Sequence, residues 1–280
     1  MELADAFSKQ CYHLIITCDE NGALAQYESD NPTCVFVLPE AANDKSLAMT
    51  GSYSGMFLSG LLAAYISQLK WAETQAQQAI QAGIHILENA SLLEEIAEKD
   101  FKRAVFLGSG NLFGTAKESA LKLQELTDGK IICKEDTYLG LRHGPKAVID
   151  EETLVVYFFS NNEYIKSYEH DLVQAMKSGN HAMYQLGINE NEQAIDGLDA
   201  QIHFSNDNEP ISEDFLPLCA VLAGQLLGYF KSLQLGLSPD NPSTSGAITR
   251  VVQGVTIYPH PAAEAVVPAI ANGNGISSHI

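Results

Sequence analysis

Five short apolar runs dominate this 280-residue chain between positions 103 and 204: RAVFLG from Arg103, KIICKE from Lys130, TLVVYFFS from Thr153, AMYQLG from Ala182 and QIHF from Gln201. They are rich in β-branched and aromatic residues and do not alternate with polar ones. Such runs suit strands buried on both faces, which is the condition of a parallel sheet. Helical patterns lie between or after them, at Thr115–Asp128, Tyr164–Lys177 and Glu213–Leu235. Strands separated by helices predict a doubly wound α/β fold, whose ligands bind beyond the carboxyl ends of the strands.

The front of the chain carries two more runs of the same kind, HLIITC (His13–Cys18) and CVFVLP (Cys34–Pro39). Helices are expected from about Ser52 through Lys70 and from Glu73 to about Asn89, followed by a charged stretch, Glu94–Lys102. The expected organisation is a front piece over residues 1–70, connecting helices over 71–96, a complete α/β domain with a C-terminal segment over 97–258, and a low-complexity tail over 259–280. Two parallel strands alone leave edges and apolar faces uncovered. The front piece is therefore expected to dock on the larger unit or a partner, or to belong to a domain whose start lies upstream.

The formal net charge is -19, from 35 acids against 16 bases. Nucleic acid and anionic membrane are thereby disfavoured as partners, because both call for a basic face. An anionic small molecule needs only a few local donors. The five cysteines share no CxxC spacing and the eight histidines form no HxxxH or HxH pair. The cysteines read as small buried hydrophobes in a reducing compartment, and no metal or organic cofactor is implied. Glu2, Asp5 and Lys9 follow Met1 where a signal peptide would be basic and then apolar, so a cytoplasmic location is expected. Phe215–Phe230 is the most membrane-like segment, but Pro217 and Gln225 interrupt it and it reads as a buried core helix.

Chemistry-bearing residues concentrate between Phe106 and Pro145. Gly108-Ser109-Gly110-Asn111 follows a strand and opens a helix. Its backbone N–H groups, with Ser109 and Asn111, can face an anion. The GxGxxxG spacing also fits a dinucleotide fingerprint with Glu135 and Asp136 after the next strand, and equally a tight turn that simply needs glycine. On the following helix Glu118, Lys122 and Glu125 fall at i, i+4 and i+7 on one face. Alone they fit a solvated ion-paired stripe; beside the mouth of the sheet they fit a carboxylate–amine pair tuned for proton transfer. His143 sits in LRHGPK, between Arg142 and Lys146, a setting that suits a proton shuttle on an anionic substrate. No GxSxG, P-loop or zinc motif is present.

Taken together, GSGNLFGTAKESALKLQELTDGK, LRHGPKAVID and NPSTSGAITRVVQGVTIYP resemble the sugar isomerase (SIS) family, and within it the AgaS-type branch. A more distant likeness is to the isomerase domain of glucosamine-6-phosphate synthase. The resemblance covers the chain to about Pro259. It implies a SIS fold, with one complete SIS domain behind the C-terminal part of another. It implies aldose–ketose isomerisation, or aminosugar deamination, of a hexose or hexosamine 6-phosphate. By the same likeness Glu125 is the base that moves a proton between sugar carbons, and Lys122 and Glu118 bind sugar and support charge. His143 opens the sugar ring from a neighbouring subunit, which implies a homo-oligomer with shared sites. Thr50 and Ser52 lie in a turn that touches sugar, and Arg250 is the nearest basic residue to the position where the relative places a lysine.

The family's GxGTS turn and serine-rich SxSGxS phosphate loop do not occur in this sequence. The expectation is therefore of an N-terminally shortened chain that is weak or inactive alone. Two other readings stay open at this stage. One is a non-catalytic sugar-phosphate-binding regulatory module; the other is a dinucleotide-binding oxidoreductase.

Overall fold

A computed structural model describes residues 1–179, 181–204 and 210–250, with 254, 256 and 258. Most of the strand-like stretch 251–259 and all of the tail 259–280 lie outside the described residues. The chain divides after Asn43 into a smaller and a larger compact unit.

The smaller unit holds α1 (Glu2–Phe7), β1 (His13–Thr17) and β2 (Thr33–Val37). The two strands pair in parallel, His13 opposite Thr33 through Thr17 opposite Val37. The expectation of strands buried on both faces fails here. Leu14, Val35, Phe36 and Val37 are all exposed. Within the two strands only Ile15 of β1 is buried, because a two-stranded sheet has little to pack against.

The larger unit contains α2 (Gly51–Ala64), α3 (Leu69–Glu88), α4 (Ser91–Ala97), β3 (Arg103–Gly108), α5 (Asn111–Leu126) and β4 (Ile132–Asp136). It continues with α6 (Tyr138–Leu141), β5 (Thr153–Phe158), α7 (Glu163–Lys177), β6 (Tyr184–Asn189), β7 (Ala200–His203) and α8 (Leu216–Gln234). The five strands are parallel in the order β4-β3-β5-β6-β7. The order reverses between β3 and β5, which makes the carboxyl ends of those strands the switch-point crevice.

Successive residues of β3 and β5 point to opposite faces and feed two cores. Ala104, Phe106, Leu154, Val156 and Phe158 pack with α3, α4, α5 and α8. Val105, Leu107, Val155, Tyr157 and Phe159 pack with Tyr138, Leu141, Ile149 and the α7 residues Leu172, Val173 and Met176. Burying a Leu or Phe side chain contributes about 2 kcal/mol, so these two layers supply most of the driving force.

Three boundaries differ from the sequence reading. The boundary expected near residue 70 falls at Asn43, because α2 and α3 group with the larger unit. The helix expected through Lys70 ends at Ala64, and a 3₁₀ turn, Ile66–Gln68, separates it from α3. The charged stretch from Glu94 begins as helix, since α4 buries Leu93 and Ile96. Helix α8 is the one described helix long and apolar enough to cross a membrane, and 67% of that apolar window is buried by packing.

Candidate active site

Helix α5 begins directly over the end of β3, and glycine makes this possible. A Cβ on Gly108 would stand 2.1 Å from the Leu112 carbonyl oxygen. Gly110 caps the helix with φ +53°, a conformation that disfavours any side chain. The helix then packs on α8 at a distance only glycines permit. A Cβ on Gly224 would meet Ser119 Oγ at 2.2 Å, and one on Gly228 would meet the Lys122 carbonyl at 3.3 Å.

This close packing buries the middle of α5. Lys122 is 6% exposed along its side chain, with Nζ 2.8 Å from Glu125 Oε2 and 3.4 Å from Glu118 Oε1. Glu118 is 13% and Glu125 28% exposed. The solvated-stripe alternative is thus set aside: the amine is buried between two carboxylates, with Glu125 the most open of the three. Burial pushes the Glu118 carboxyl above its ordinary value, against the pull of the Lys122 ammonium. Tyr53 on α2 stands close enough for its own hydroxyl to be raised, by burial first and then by the Glu118 charge. A cavity of about 180 Å³ opens one turn back along α5, lined by Tyr53, Phe57, Asn111, Thr115 and Asp214 among others. A larger cleft of about 380 Å³ lies at the other end of the sheet, beside Lys177, Gln185 and Asp199, away from these groups.

Thr50, Ser52 and Arg250 converge on Asp44. The Asp44 carboxylate accepts from the N–H of Thr50, Gly51 and Ser52 at 3.0, 3.0 and 2.8 Å, and from Ser52 Oγ at 2.7 Å. Arg250 donates to the Asp44 carbonyl. Burial pushes the Asp44 carboxyl up, but the bonds from Ser52, Gly51 and Thr50 together outweigh it, and it lies below its usual range. An internal carboxylate therefore occupies the anion position at the start of α2.

The glycine turn of α5 has acidic surroundings. Asn111 Nδ2 donates to Asp214 Oδ1 at 2.6 Å. Across the crevice the Ser160 N–H donates to Glu169 at 2.9 Å, Ser160 Oγ donates to Glu213 at 3.0 Å, and Asn161 donates to both Glu213 and Glu190. Burial pushes Glu169 up to about 7, against the Ser109 hydroxyl and the Ser160 N–H, with Glu213 adding to the rise. No aligned hydrogen bond reaches Glu169 Oε1, so Ser109 acts on it as a nearby dipole. Burial pushes Glu190 up as well, and the buried Lys166 ammonium acts on both Glu169 and Glu190. Glu135 and Asp136 end the adjoining strand, as a dinucleotide fingerprint requires.

His143 is exposed and caps the 3₁₀ turn Gly144–Val148. Its loop packs through Tyr138, Leu141 and Ile149 on the α7 face of the sheet, while α5 packs on the opposite face. One chain therefore brings Glu118, Lys122 and Glu125 together but leaves His143 in another layer. The sequence reading missed Asp44, Tyr53, Glu169, Glu190 and Glu213. Asp44 had a usable signal, an Asp shortly before a Thr-Gly-Ser helix start. The others are joined only by long-range folding. Among the cysteines only Cys219 is buried; Cys34 is exposed and the rest are half-buried, which corrects their reading as core hydrophobes.

No family model matches the chain. It is 38% identical over 262 residues to the D-galactosamine-6-phosphate deaminase AgaS of Shewanella sp. strain ANA-3, covering 92% of this chain and 63% of that protein. It is 37% identical over 266 residues to the protein of that name from Escherichia coli, covering 92% and 67%. The crystal structure of tagatose-6-phosphate ketose/aldose isomerase from Escherichia coli superposes with a TM-score of 0.81 at 34% identity, covering 93% of this chain and 67% of that one. The chain thus spans roughly two thirds of the length of these relatives. Identity at this level across nearly the whole chain, with the same doubly wound sheet, places it in the AgaS branch of the sugar isomerase family.

Proposed function

We propose that this chain carries the proton-transfer half of an aldose–ketose isomerase or aminosugar deaminase acting on a hexose or hexosamine 6-phosphate. The observation that carries the reading is the buried Glu118–Lys122–Glu125 face of α5. A sheltered carboxylate held in fixed geometry can take a proton from a substrate carbon and return it to the next. A neighbouring ammonium can steady negative charge on a substrate oxygen.

In the proposed sequence His143 of a second copy assists opening of the sugar ring. Glu125, the most open carboxylate, removes the C2 proton and returns it at C1 through an enediol, or an enolamine when C2 bears nitrogen. Lys122 stabilises the oxygen that becomes negative, and Glu118 holds Lys122 in place. Thr50 and Ser52 order the start of α2 around Asp44, which sets Tyr53 against Glu118. Arg250, exposed beside Asp44, is the cation offered to the anionic end of the substrate. The Ser109-Gly110-Asn111 turn, where α5 begins over the end of β3, is proposed to meet the substrate. Placement of His143 on the other layer supports a homo-oligomer with shared sites, and cysteines that form no disulfide among the described residues suit a cytoplasmic setting.

The test is proton exchange in deuterated water, followed by NMR, with hexose 6-phosphates and hexosamine 6-phosphates and with ammonia release measured in parallel. Exchange at C1 or C2 supports the proposal, and ammonia release selects deamination. Binding of sugar phosphate without exchange would instead make the chain a sensing module.

A further inference from the structure

The smaller unit gathers three side chains of the types that ligate metals. Asp5 on α1, Cys11 in the following turn and His13 at the start of β1 converge. His13 Nε2 is 2.6 Å from Asp5 Oδ1, and Cys11 Sγ is 3.7 Å from each of the two atoms. Their side chains are sheltered without being sealed, 9% exposed for His13 and 16% for Asp5. We propose that Asp5 Oδ1, Cys11 Sγ and His13 Nε2 form a binding site for one zinc-class divalent cation, with a fourth position left to water.

Geometry supports this. Tetrahedral zinc, with Zn–S about 2.3 Å and Zn–N or Zn–O about 2.0 Å, places donor atoms roughly 3.3–3.6 Å apart. The two sulfur distances are already close to that. Only the His13–Asp5 pair must open, and it opens as the metal replaces the proton those two atoms share. The thiol also releases its proton, so binding liberates up to two protons and changes no oxidation state. The ligand set combines thiolate, imidazole and carboxylate, which suits zinc or cobalt and not magnesium or calcium.

The surrounding residues supply what a bare ligand cluster would lack. Tyr27 OH donates to Asp5 Oδ2 at 2.7 Å, and Asn31 Nδ2 donates to Asp5 Oδ1 at 2.6 Å and to the Ser8 carbonyl at 3.0 Å. Asn31 is itself buried at 5% exposure. These bonds fix the orientation of the carboxylate toward Cys11 and His13. Tyr27 also meets the His13 ring edge-on. The sequence spacing, Asp5-x5-Cys11-x-His13, matches no zinc motif because two ligands sit on a helix and a turn that only folding brings to the strand.

The experiment is titration of the 280-residue chain with Co(II), read by absorption. Binding through Cys11 produces a sulfur-to-cobalt charge-transfer band together with visible bands of tetrahedral intensity, saturating at one cobalt per chain. Cys11→Ser abolishes the charge-transfer band, while Cys18→Ser and Cys34→Ser keep it. His13→Gln weakens binding at least about tenfold, the scale on which even indirect partners of a metal act. A second reading needs no variant: zinc protects Cys11, but not Cys34, from iodoacetamide, scored by peptide mass spectrometry. A band that survives Cys11→Ser, the absence of any band, or equal alkylation of Cys11 with and without zinc would overturn the proposal.

Discussion

Lys122 Nζ stands 2.8 Å from Glu125 Oε2 and 94% of its side chain is out of solvent, so the ammonium is committed to its neighbours on α5. Water cannot substitute for either carboxylate there. Activity and stability are therefore expected to respond differently to changes at each of the three positions.

Glu125→Gln is nearly isosteric and keeps a hydrogen-bond acceptor for Lys122, but it cannot take a proton. Turnover should fall by about a hundredfold or more with little change in melting temperature. Glu118→Gln should cost less in turnover and should shift the acid limb of the pH–rate profile, because the Glu118 carboxyl is raised by burial. The two profiles, measured side by side, distinguish base from support. A larger loss at Glu118 would exchange their roles.

Lys122→Met removes the charge and leaves two sheltered carboxylates facing each other. Breaking a buried pair from one side costs about 3–5 kcal/mol, and partial exposure of Glu125 places this case at the lower end. Urea unfolding at pH 8 should show the loss, and it should shrink in acid as Glu118 protonates. Adding Glu118→Gln to Lys122→Met should recover part of it.

His143→Ala and Glu125→Gln should each be inactive alone if the site is built from two copies. Co-refolding the two variants should then restore a measurable fraction of activity, because a mixed pair contains one site with both intact groups. Mixed oligomers that stay as inactive as either parent would place both residues in one chain's site.

Glu169 links stability to pH. Its carboxyl is raised from 4.5 to about 7 by burial. The folded state therefore holds its proton more tightly than the unfolded state. The resulting stabilisation is fully present below about pH 4.5 and is lost as pH rises through about 7, a span worth roughly 3 kcal/mol. Glu169→Gln, which can still accept from the Ser160 N–H, should flatten the fall in stability between pH 5 and pH 8. An unchanged slope would assign the effect elsewhere.

Asp44→Asn keeps the shape at the start of α2 and removes the charge that meets three N–H groups. A loss of about 1–2 kcal/mol is expected. Because the same carboxylate sets the position of Ser52 and hence Tyr53, KM should rise more than kcat falls.

Local sequence was enough to determine the element types and the parallel sheet of the larger unit. Residues 103–108 and 153–158 are apolar on both alternations, and no other architecture buries such strands. It also determined that Glu118, Lys122 and Glu125 share a face, because that follows from 3.6 residues per turn. Whether that face met water was not local information. It depends on Gly224 and Gly228, a hundred positions later, which let α8 close on α5 and bury the lysine. The same holds for the glycine turn, whose surroundings, Lys166, Glu169, Glu190 and Glu213, arrive from separate segments. In the smaller unit the apolar run of β2 looks identical to a core strand, yet all of it is exposed, and β1 buries Ile15 alone. Burial belongs to the neighbours a strand finds, and the residues of the strand do not contain them.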